Sequence, residues 1–249
     1  MTRIITLFNQ AGGVGKSTLT MNLGYHLSLL DFKVLLVDVD PQGSLTAFMG
    51  LDQGSLEKTV YNAIVKEEEL PLHKDIHGLD LAPANLDLSG AELALVMADM
   101  REFKLKDALE PVKNLYDYIL IDCPPSLGIL SFISLVAATD VLIPIQTQNK
   151  ALRGTELLFK TLSRVKDRAN PGLVVAGVVP TMYDSRTIQD RRSLQSIQEL
   201  SGKIPIFPTI PVAIAFADAS EEGLPLALYK SRHPAIKLLN QIAEKLVNQ

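Results

Sequence analysis

Apolar runs and amphipathic segments alternate along the chain. Six apolar runs rich in β-branched residues predict strands. They are Ile4–Phe8, Val34–Val37, Leu79–Pro83, Tyr118–Ile121, Val141–Ile145 and Val174–Val179, and a seventh short strand is predicted near Ile206. Segments of helical periodicity lie between them and after them. These are Lys16–Leu30, Leu86–Met100, Leu127–Ala137, Leu152–Lys166, Thr187–Leu200 and Pro234–Val247.

The composition of the strands indicates how they are arranged. VLLVDVD and YDYILIDCPPS are apolar almost throughout, which is typical of parallel strands covered on both faces. Because strands alternate with helices, we expect an α/β fold with a doubly wound, mostly parallel sheet and helices on both faces. Such sheets bind ligands at the carboxyl ends of their strands. No repeat, low-complexity tract or Gly/Ser linker interrupts the chain, so we expect residues 1–249 to form a single domain.

Composition narrows the class of protein. Of the 249 residues, 47% are hydrophobic, which is enough for a sizeable core. No apolar run approaches the roughly 20 residues of a membrane span, and the N-terminus does not resemble a secretory signal, so we expect a cytoplasmic protein. The single cysteine, Cys123, excludes an internal disulfide. A net charge of −4 leaves no basic field over the whole chain, so nucleic-acid binding requires a local basic patch.

A glycine-rich segment between the first predicted strand and the first predicted helix carries the strongest chemical signal. It reads AGGVGKST and comprises Ala11, Gly12, Gly13, Val14, Gly15, Lys16, Ser17 and Thr18. Its glycines allow the backbone N–H groups to point inward, and the helix N-terminus adds a partial positive charge. The lysine can reach the β- and γ-phosphates of a nucleotide, and the serine hydroxyl can bind Mg²⁺. A glycine-rich turn without a ligand is the alternative, which the complete register of the segment disfavours.

Three aspartates follow predicted strands. Asp38 and Asp40 end the second strand, and Asp122 ends a later one. The sheet brings all three carboxylates to the edge where the glycine-rich loop lies. Asp122 can hold the water shell of Mg²⁺, and Asp38 or Asp40 can orient an attacking water, because phosphoryl transfer depends mostly on positioning and electrostatics. A cap at a strand end is the alternative for any one of them.

Four ordered motifs, GGVGKST, LLVDVDPQGS, ILIDCPPSLG and PTMYDSRT, resemble those of the ParA/MinD ATPases, and of the ParA/Soj branch in particular. The resemblance covers nearly the whole chain. It implies a P-loop NTPase fold, ATP and Mg²⁺ as cofactors, slow hydrolysis, and a homodimer that encloses two ATP molecules. It also implies that the ATP dimer binds nucleoid DNA non-specifically. An adaptor protein similar to ParB or McdB then stimulates hydrolysis and releases the dimer, and this cycle positions a cargo.

The resemblance also assigns roles to individual residues. Gly12 matches a glycine at the dimer interface, Lys16 the lysine that binds phosphate, and Ser17 a Mg²⁺ ligand. Asp40 matches the hydrolytic aspartate. The resemblance alone further places metal-shell and switch positions at Asp38 and Asp122, and adenine contacts at Met182, Pro211 and Val212.

Ala11 departs from the family motif, which begins with a lysine that crosses the dimer to the phosphates of the other subunit. Without that cation, less positive charge offsets the repulsion between the two anionic nucleotides in the dimer. Lys150, shortly after the strand Val141–Ile145, is the predicted catalytic replacement, and Arg153 is the second choice. A solvated lysine near a helix start is the alternative, although the helix dipole disfavours a cation there unless an anion is near.

The missing lysine also bears on the cargo. The carboxysome-positioning branch, McdA, lacks this lysine, so the resemblance is to that branch. A plasmid or chromosome partition ATPase with an unusual loop is the alternative.

Basic residues are concentrated in the C-terminal half of the chain. The predicted DNA-binding set is Arg186, Arg191, Arg192, Lys203, Lys230 and Arg232. Such a patch can hold phosphates without reading sequence. Ordinary solvated helix charge is the alternative for each residue taken singly. A DNA-binding dimer would be associated with the nucleoid.

Two apolar helical segments are predicted to pack on the domain rather than to bind a membrane or a ligand. MinD-type relatives bind membranes through a C-terminal helix, but the segment AIKLLNQIAEKLVNQ has few cations and no aromatics, so we expect it to dock on the domain and predict no membrane partner. The segment AELALVMADMREF is predicted to form a core helix in which Met97 and Met100 pack.

Two other classes of function compete with a positioning ATPase. One is a metabolic P-loop enzyme, but iron proteins of the nitrogenase type need more cysteines than Cys123, and no insertion supplies the second substrate pocket of a synthetase. The other is a nucleotide-binding switch protein with little hydrolysis, which Ala11 favours and which Lys16, Asp40 and Asp122 oppose.

Overall fold

A computed structural model describes residues 1–147 and 152–249, with side chains from residue 155 onward in the second range. The strands are β1 (Arg3–Leu7), β2 (Val34–Asp38), β3 (His73–Ile76), β4 (Leu79–Ala82), β5 (Tyr118–Asp122), β6 (Asp140–Gln146) and β7 (Val174–Thr181). Six of them confirm the predicted strands, with ends that differ by one or two residues. β3 was missed because its sequence, HKDI, is short and mostly polar.

The strands form one sheet in the order β3-β4-β2-β5-β1-β6-β7. All pairs are parallel except β3 with β4 at the edge, which is antiparallel. The prediction of a doubly wound, mostly parallel sheet is therefore confirmed. β1, β2 and β5 are neighbours in the centre, so the residues that follow them meet at one edge of the sheet.

The helices are α1 (Lys16–Ser28), α2 (Ser44–Phe48), α3 (Val60–Lys66), α4 (Ser89–Val96), α5 (Lys104–Leu109), α6 (Ile129–Ala137), α7 (Leu152–Arg168), α8 (Ile188–Ser201), α9 (Ile214–Glu221), α10 (Leu226–Tyr229) and α11 (Ala235–Val247). The predicted helix Leu86–Met100 is shorter in the structure, where a 3₁₀ turn, Leu86–Leu88, leads into α4. The segment SLEKTVYNAIV, whose pattern predicts a core helix, forms most of α3. The short helices α2, α5, α9 and α10 were not predicted.

Apolar side chains cover both faces of the sheet. Leu36 of β2 and Leu120 of β5 lie in a core layer that also contains side chains of α1, α9 and α11. Their neighbours Leu35 and Ile119 lie in the opposite layer, with side chains of α3, α4, α5 and α6. Adjacent residues of a strand point to opposite faces, so burial of both faces explains why these strands are apolar throughout.

Two predictions about apolar segments are wrong. Met97 and Met100 do not pack in the core, because 87% and 64% of their surfaces are exposed. Ile206 is not in a strand; it makes an isolated bridge to Val178 of β7. Prolines at positions 205, 208 and 211 remove the N–H donors that a continuous ladder would need.

The C-terminal helix packs as predicted. Leu239, Ile242 and Leu246 of α11 are buried in the same core layer as α1. His26 of α1 also forms a 3.0 Å hydrogen bond through Nδ1 with the Asn240 side chain. Among the described residues, no helix is both long enough and apolar enough to cross a membrane.

Gly177 provides a test of the contact between β7 and the chain that runs beside it. A Cβ on Gly177 would lie 2.4 Å from the Phe207 ring and 2.7 Å from the Pro205 carbonyl oxygen. Because that backbone cannot easily move, we expect Gly177→Ala to lower the free energy of unfolding by about 1–3 kcal/mol in urea denaturation. Gly172→Ala is the control, since its Cβ would meet Asn170 Oδ1 at an ordinary 3.7 Å. Equal effects of the two substitutions would contradict this prediction.

Candidate functional site

The glycine-rich loop joins β1 to α1. Gly13 and Gly15 have φ angles of 71° and 87°, in the left-handed region that residues with a Cβ rarely adopt. No side chain caps the N-terminus of α1, so its first N–H groups are available to an anion. The loop therefore has the backbone conformation that the predicted phosphate site requires.

The Lys16 side chain is buried beneath this loop. Its ammonium group donates hydrogen bonds to the carbonyl oxygens of Asn9 and Ala11, at 3.1 and 3.2 Å. The Asn9 side chain in turn accepts a hydrogen bond from the Ala11 N–H at 2.9 Å. These contacts hold the cation at the start of the loop, where the chain leaves β1.

Two strands beyond β1 anchor the same loop. The Asn9 amide donates to the carbonyl oxygen of Pro144 in β6 at 2.7 Å. The Thr181 hydroxyl at the end of β7 donates to the carbonyl oxygen of Val14 at 2.9 Å. The loop is therefore fixed to the sheet on the side of β6 and β7.

Asp38 and Asp122 lie opposite each other at the ends of β2 and β5. Both are fully buried. Asp38 Oδ2 accepts hydrogen bonds from the Thr46 N–H at 2.8 Å and the Thr46 hydroxyl at 2.7 Å, and its Oδ1 accepts one from the Asp40 N–H at 3.1 Å. Neither oxygen of Asp122 has a hydrogen-bond partner of good geometry among the described residues.

Burial controls the ionisation of this pair. It raises the pKa of Asp38 to about 7, against the hydrogen bonds from Thr46 and Asp40. Burial, and then the charge of Asp38, raise the pKa of Asp122 well above its usual range, while the nearby Ser17 and Lys16 oppose this rise. The protein by itself supplies too little positive charge to balance two ionised carboxylates at this position. The pair is therefore suited to an added cation.

The arrangement fits Mg²⁺ in particular. Mg²⁺ usually binds one or two carboxylates together with waters and phosphate oxygens. The unpartnered Asp122 oxygens and the nearby Ser17 hydroxyl suit that role. In the described part of the chain, no group of three or more His, Cys, Asp or Glu side chains could hold a metal alone. The site therefore suits a metal that arrives with a nucleotide.

Asp40 differs from Asp38 in how its oxygens are used. Its Oδ1 accepts a hydrogen bond from the Gln42 N–H at 2.9 Å. Both oxygens of Asp38 accept hydrogen bonds from the protein, so Asp38 has less capacity for a water. The sequence left Asp38 and Asp40 as alternatives for orienting a water, and this geometry favours Asp40.

A cavity of about 160 Å³ opens beside the glycine-rich loop. The three predicted adenine contacts, Met182, Pro211 and Val212, all line it, together with Gly15 and Thr18 of the loop and α1. Its lining also includes Ile210 and Ala213, which belong to the predicted adenine segment TIPVAIA, and Phe216 and Leu239, which sequence reasoning missed. The apolar segment AIAFADA, which begins directly after Val212, was the available signal for Phe216.

The chain that runs beside β7 brings these residues together. The Ile210 N–H donates to the Pro180 carbonyl at 2.8 Å, and the Tyr183 N–H donates to the Ile210 carbonyl at 3.0 Å. Pro211 therefore lies opposite the end of β7, where Met182 has a left-handed φ of 54°. Two segments far apart in sequence thus form one wall of the cavity.

The predicted DNA-contact residues are all exposed. Arg186 forms an ion pair with Asp184 at 2.8 Å, and Arg191 donates to the Ser185 carbonyl at 3.2 Å. The set belongs to three segments: Arg186, Arg191 and Arg192 at the start of α8, Lys203 after its end, and Lys230 and Arg232 between α10 and α11. The length of α8 separates the first segment from the second by about 18 Å.

The predicted cross-dimer cation cannot be placed. Lys150 lies outside the described residues, and the Arg153 side chain is likewise outside them. Ala11 is partly exposed at the start of the loop.

An exposed apolar surface that the sequence did not predict lies on and around α4. We call it the α4 stripe, and it comprises Leu86, Leu93, Val96, Met97 and Met100. The Glu92 carboxylate is close to Gly128, where a Cβ would lie 2.7 Å from Glu92 Oε1. A Cβ on Gly12 would in turn lie 3.7 Å from Pro125. Glu92 of α4 thus approaches Gly128, and Pro125 of the same segment lies near Gly12 of the glycine-rich loop.

Comparisons with known sequences identify close relatives. A family model described as an AAA domain matches residues 2–175. The chain is 37% identical over 249 residues to the sporulation initiation inhibitor protein Soj of Bacillus subtilis (strain 168), covering 99% of this chain and 98% of that protein. It is 41% identical over 233 residues to the chromosome partitioning protein ParA of Myxococcus xanthus, covering 91% of this chain and 81% of that protein.

Solved structures share the fold over the whole chain. Cobyrinic acid a,c-diamide synthase from Mycobacterium smegmatis, with a bound ATP analogue and magnesium, has a TM-score of 0.90 and 35% identity, and the match covers 100% of this chain and 95% of that one. A complex of ATP with a McdA variant from Cyanothece has a TM-score of 0.88 and 23% identity, with coverages of 99% and 96%, and shows the fold alone. Because the chain named as a synthase has nearly the same length, the lack of an insertion does not exclude that class.

Ionisation of Asp38 makes a pH-dependent stability measurable. Its pKa is about 7 in the folded protein and near 3.8 when exposed, so the folded state holds a proton that the unfolded state releases between these values. We expect the unfolding free energy of the nucleotide-free protein, relative to that of Asp38→Asn, to fall by on the order of 2–4 kcal/mol from pH 4 to pH 7. Urea denaturation at several pH values measures this difference. A difference that stays constant with pH would contradict the prediction.

Proposed function

Because this chain belongs to the ParA/Soj family of P-loop ATPases, we propose that it binds ATP with Mg²⁺, hydrolyses it slowly, and uses this cycle to position a cargo. One observation carries the proposal. The glycine-rich loop, its buried lysine and three aspartates converge at the carboxyl ends of adjacent parallel strands. An unbalanced carboxylate pair next to an anion-binding loop is suited to a metal–polyphosphate complex.

The described residues divide the work of hydrolysis. Lys16 and the first N–H groups of α1 bind phosphate oxygens, and Ser17, Asp38 and Asp122 hold the cation or its waters. Mg²⁺ supplies positive charge that offsets the charge developing on the phosphates. Asp40 orients the attacking water. Met182, Pro211, Val212 and Phe216 enclose the base in the apolar cavity.

The active form in this proposal is an ATP-bound homodimer. Its two subunits contact each other through the surface that contains the glycine-rich loop. Gly12 is exposed there, and a Cβ on it would make ordinary contacts, so its surface is open to another subunit. The α4 stripe adds exposed apolar area on and around the helix whose Glu92 approaches Gly128. Large exposed apolar patches mark interaction surfaces. We propose that the other subunit covers part of it.

Two observations bear on the cargo of this cycle, and they favour different cargoes. Relatives at 37% and 41% identity are named for sporulation control and chromosome partitioning, which favours a chromosome or plasmid cargo and a ParB-like adaptor. Ala11 instead favours a carboxysome cargo and an McdB-like adaptor, but the McdA structure supports the fold alone. We therefore propose DNA as the cargo, with the carboxysome as the second candidate.

The ATP dimer is proposed to bind DNA through the exposed cations near α8. Arg191 ends its first turn and Arg192 begins its second, while Arg186 is already paired with Asp184. A dimer would present each group twice, which compensates for the small number of cations in one chain. Association with the nucleoid follows from this binding.

The missing lysine leads to a test of dimerisation. We expect light scattering to show a dimer with Mg·ATP, and a monomer with Mg·ADP, in an Asp40→Ala background that slows hydrolysis. Lys150→Ala in the same background should abolish the dimer and leave fluorescent-nucleotide affinity within about threefold, because Lys150 is proposed to replace the cation absent at Ala11.

Lys160→Ala, an exposed lysine of α7, is the matched control and should dimerise normally. An ATP dimer that survives Lys150→Ala rules out Lys150 and points to Arg153. A monomer in every condition rejects the positioning ATPase and favours the nucleotide switch. Consumption of ATP coupled to amide formation would instead identify a synthetase.

DNA binding can be tested in the same background. We expect the ATP form of Asp40→Ala to bind a random-sequence duplex in fluorescence anisotropy, with affinity that falls steeply as salt increases. Arg191→Ala combined with Arg192→Ala should weaken binding about tenfold or more and reduce the salt slope. Lys113→Ala, at the opposite edge of the sheet, is the control. Unchanged affinity of the double variant would remove α8 from the DNA surface.

A further inference from the structure

Asp190 is a buried carboxylate that the proposed chemistry does not use. It lies in the first turn of α8 and is 7% exposed. Its Oδ2 accepts a hydrogen bond from the Asp184 N–H at 2.8 Å and lies 3.2 Å from the Thr147 hydroxyl. Both partners are neutral groups, and each belongs to a different segment at the nucleotide edge of the sheet.

The first segment contains Thr147, directly after β6. The Thr147 N–H donates to the Thr181 carbonyl at 3.1 Å. Its hydroxyl lies 3.2 Å from the Asp190 carboxylate, and 3.3 and 3.4 Å from the carbonyls of Met182 and Thr181. A carboxylate is the strongest of these acceptors. Thr147 therefore ties α8 to the end of β6, three residues before Lys150.

The second segment leads from α8 to the nucleotide. Asp184 follows Met182, which lines the proposed base cavity. The Thr181 hydroxyl donates to the Val14 carbonyl within the glycine-rich loop. A continuous series of hydrogen bonds thus joins the loop, through Thr181 and Thr147, to Asp190.

We propose that Asp190 is a positioning residue that couples the nucleotide site to the first turn of α8, and so to Arg191 and Arg192. This inference rests on the proposed function, because it assigns a regulator of the same site. A base that enters the cavity contacts Met182 and thereby fixes the position of the segment from Met182 to Asp184. Since Asp184 and Thr147 share one buried carboxylate oxygen, moving either one without α8 would cost that oxygen one of its two hydrogen bonds.

The coupling acts in both directions. A ligand shifts a conformational equilibrium only through its different affinity for the two states, and the two sites must influence each other equally. ATP therefore orders the first turn of α8, and DNA bound at α8 tightens the binding of ATP by the same factor.

The test compares amide hydrogen exchange at residues 188–192 with and without Mg·ATP, in the full chain with Asp40→Ala. We expect ATP to slow this exchange about fivefold or more. Thr147→Val keeps the shape of the side chain but removes its hydroxyl, so it should abolish the ATP-dependent slowing while nucleotide affinity stays within about threefold. If Thr147→Val only weakened the packing of α8, amide exchange would instead rise by the same factor with and without ATP.

Two further variants complete the design. Asp190→Asn removes the charge and should also abolish the slowing, which keeps the test decisive if Thr147→Val does not fold. Thr161→Val is the control, because its hydroxyl donates only within α7 to the Leu157 carbonyl, and it should behave as the parent.

The outcomes separate the two proposals. If the parent binds no ATP in the fluorescence assay, the proposed function and this inference both fail. If the parent binds ATP but exchange in α8 does not change, or if it slows equally in Thr147→Val and Asp190→Asn, the inference alone is overturned.

Discussion

The burial of Asp38 and Asp122 side by side is the constraint on which the site depends. Parallel pairing of β2 and β5 places the two carboxylates as neighbours at the sheet edge. Thr46 satisfies Asp38, but Asp122 has no good partner among the described residues. A pair that is unstable when ionised becomes favourable beside a divalent cation, and Lys16 with the loop N–H groups supplies the matching site for phosphate. The fold therefore favours a metal and a polyphosphate bound together over either one alone.

The same edge of the sheet explains why distant parts of the chain act as one site. The loop follows β1, yet Pro144 of β6 and Thr181 of β7 hold it in place. The cavity lined by Met182 and Phe216 forms where the segment around Pro211 pairs with the end of β7. Strands supply rigid positions, and the loops at their carboxyl ends supply chemistry. The wall of this cavity at the end of β7 is consequently connected to the glycine-rich loop through the single hydrogen bond from Thr181 to Val14.

The alanine at position 11 has little effect on the loop within one chain. Its effect is expected in a dimer, where it leaves a positive charge missing. In one chain, the alanine N–H and carbonyl still hold Asn9 and Lys16 in place, so the loop is intact. The lost charge would matter where two nucleotides approach each other, because like charges in a water-poor interface repel strongly. A compensating cation has to come from another segment, and its identity depends on the assembly rather than on the loop.

The sequence by itself determined the elements and the chemistry of the loop. Strands buried on both faces are apolar throughout, and the glycine spacing of the loop permits few other backbones, so six strands and the conformation of the loop before Lys16 were predictable. The residues alone left Asp38 and Asp40 as alternatives for orienting a water, and the hydrogen bonds from Thr46 to Asp38 favour Asp40. Only the tertiary structure exposed Met97 and Met100, added Phe216 to the cavity, and joined Asp190 to Thr147. These features depend on contacts between residues far apart in the chain, which local periodicity does not encode.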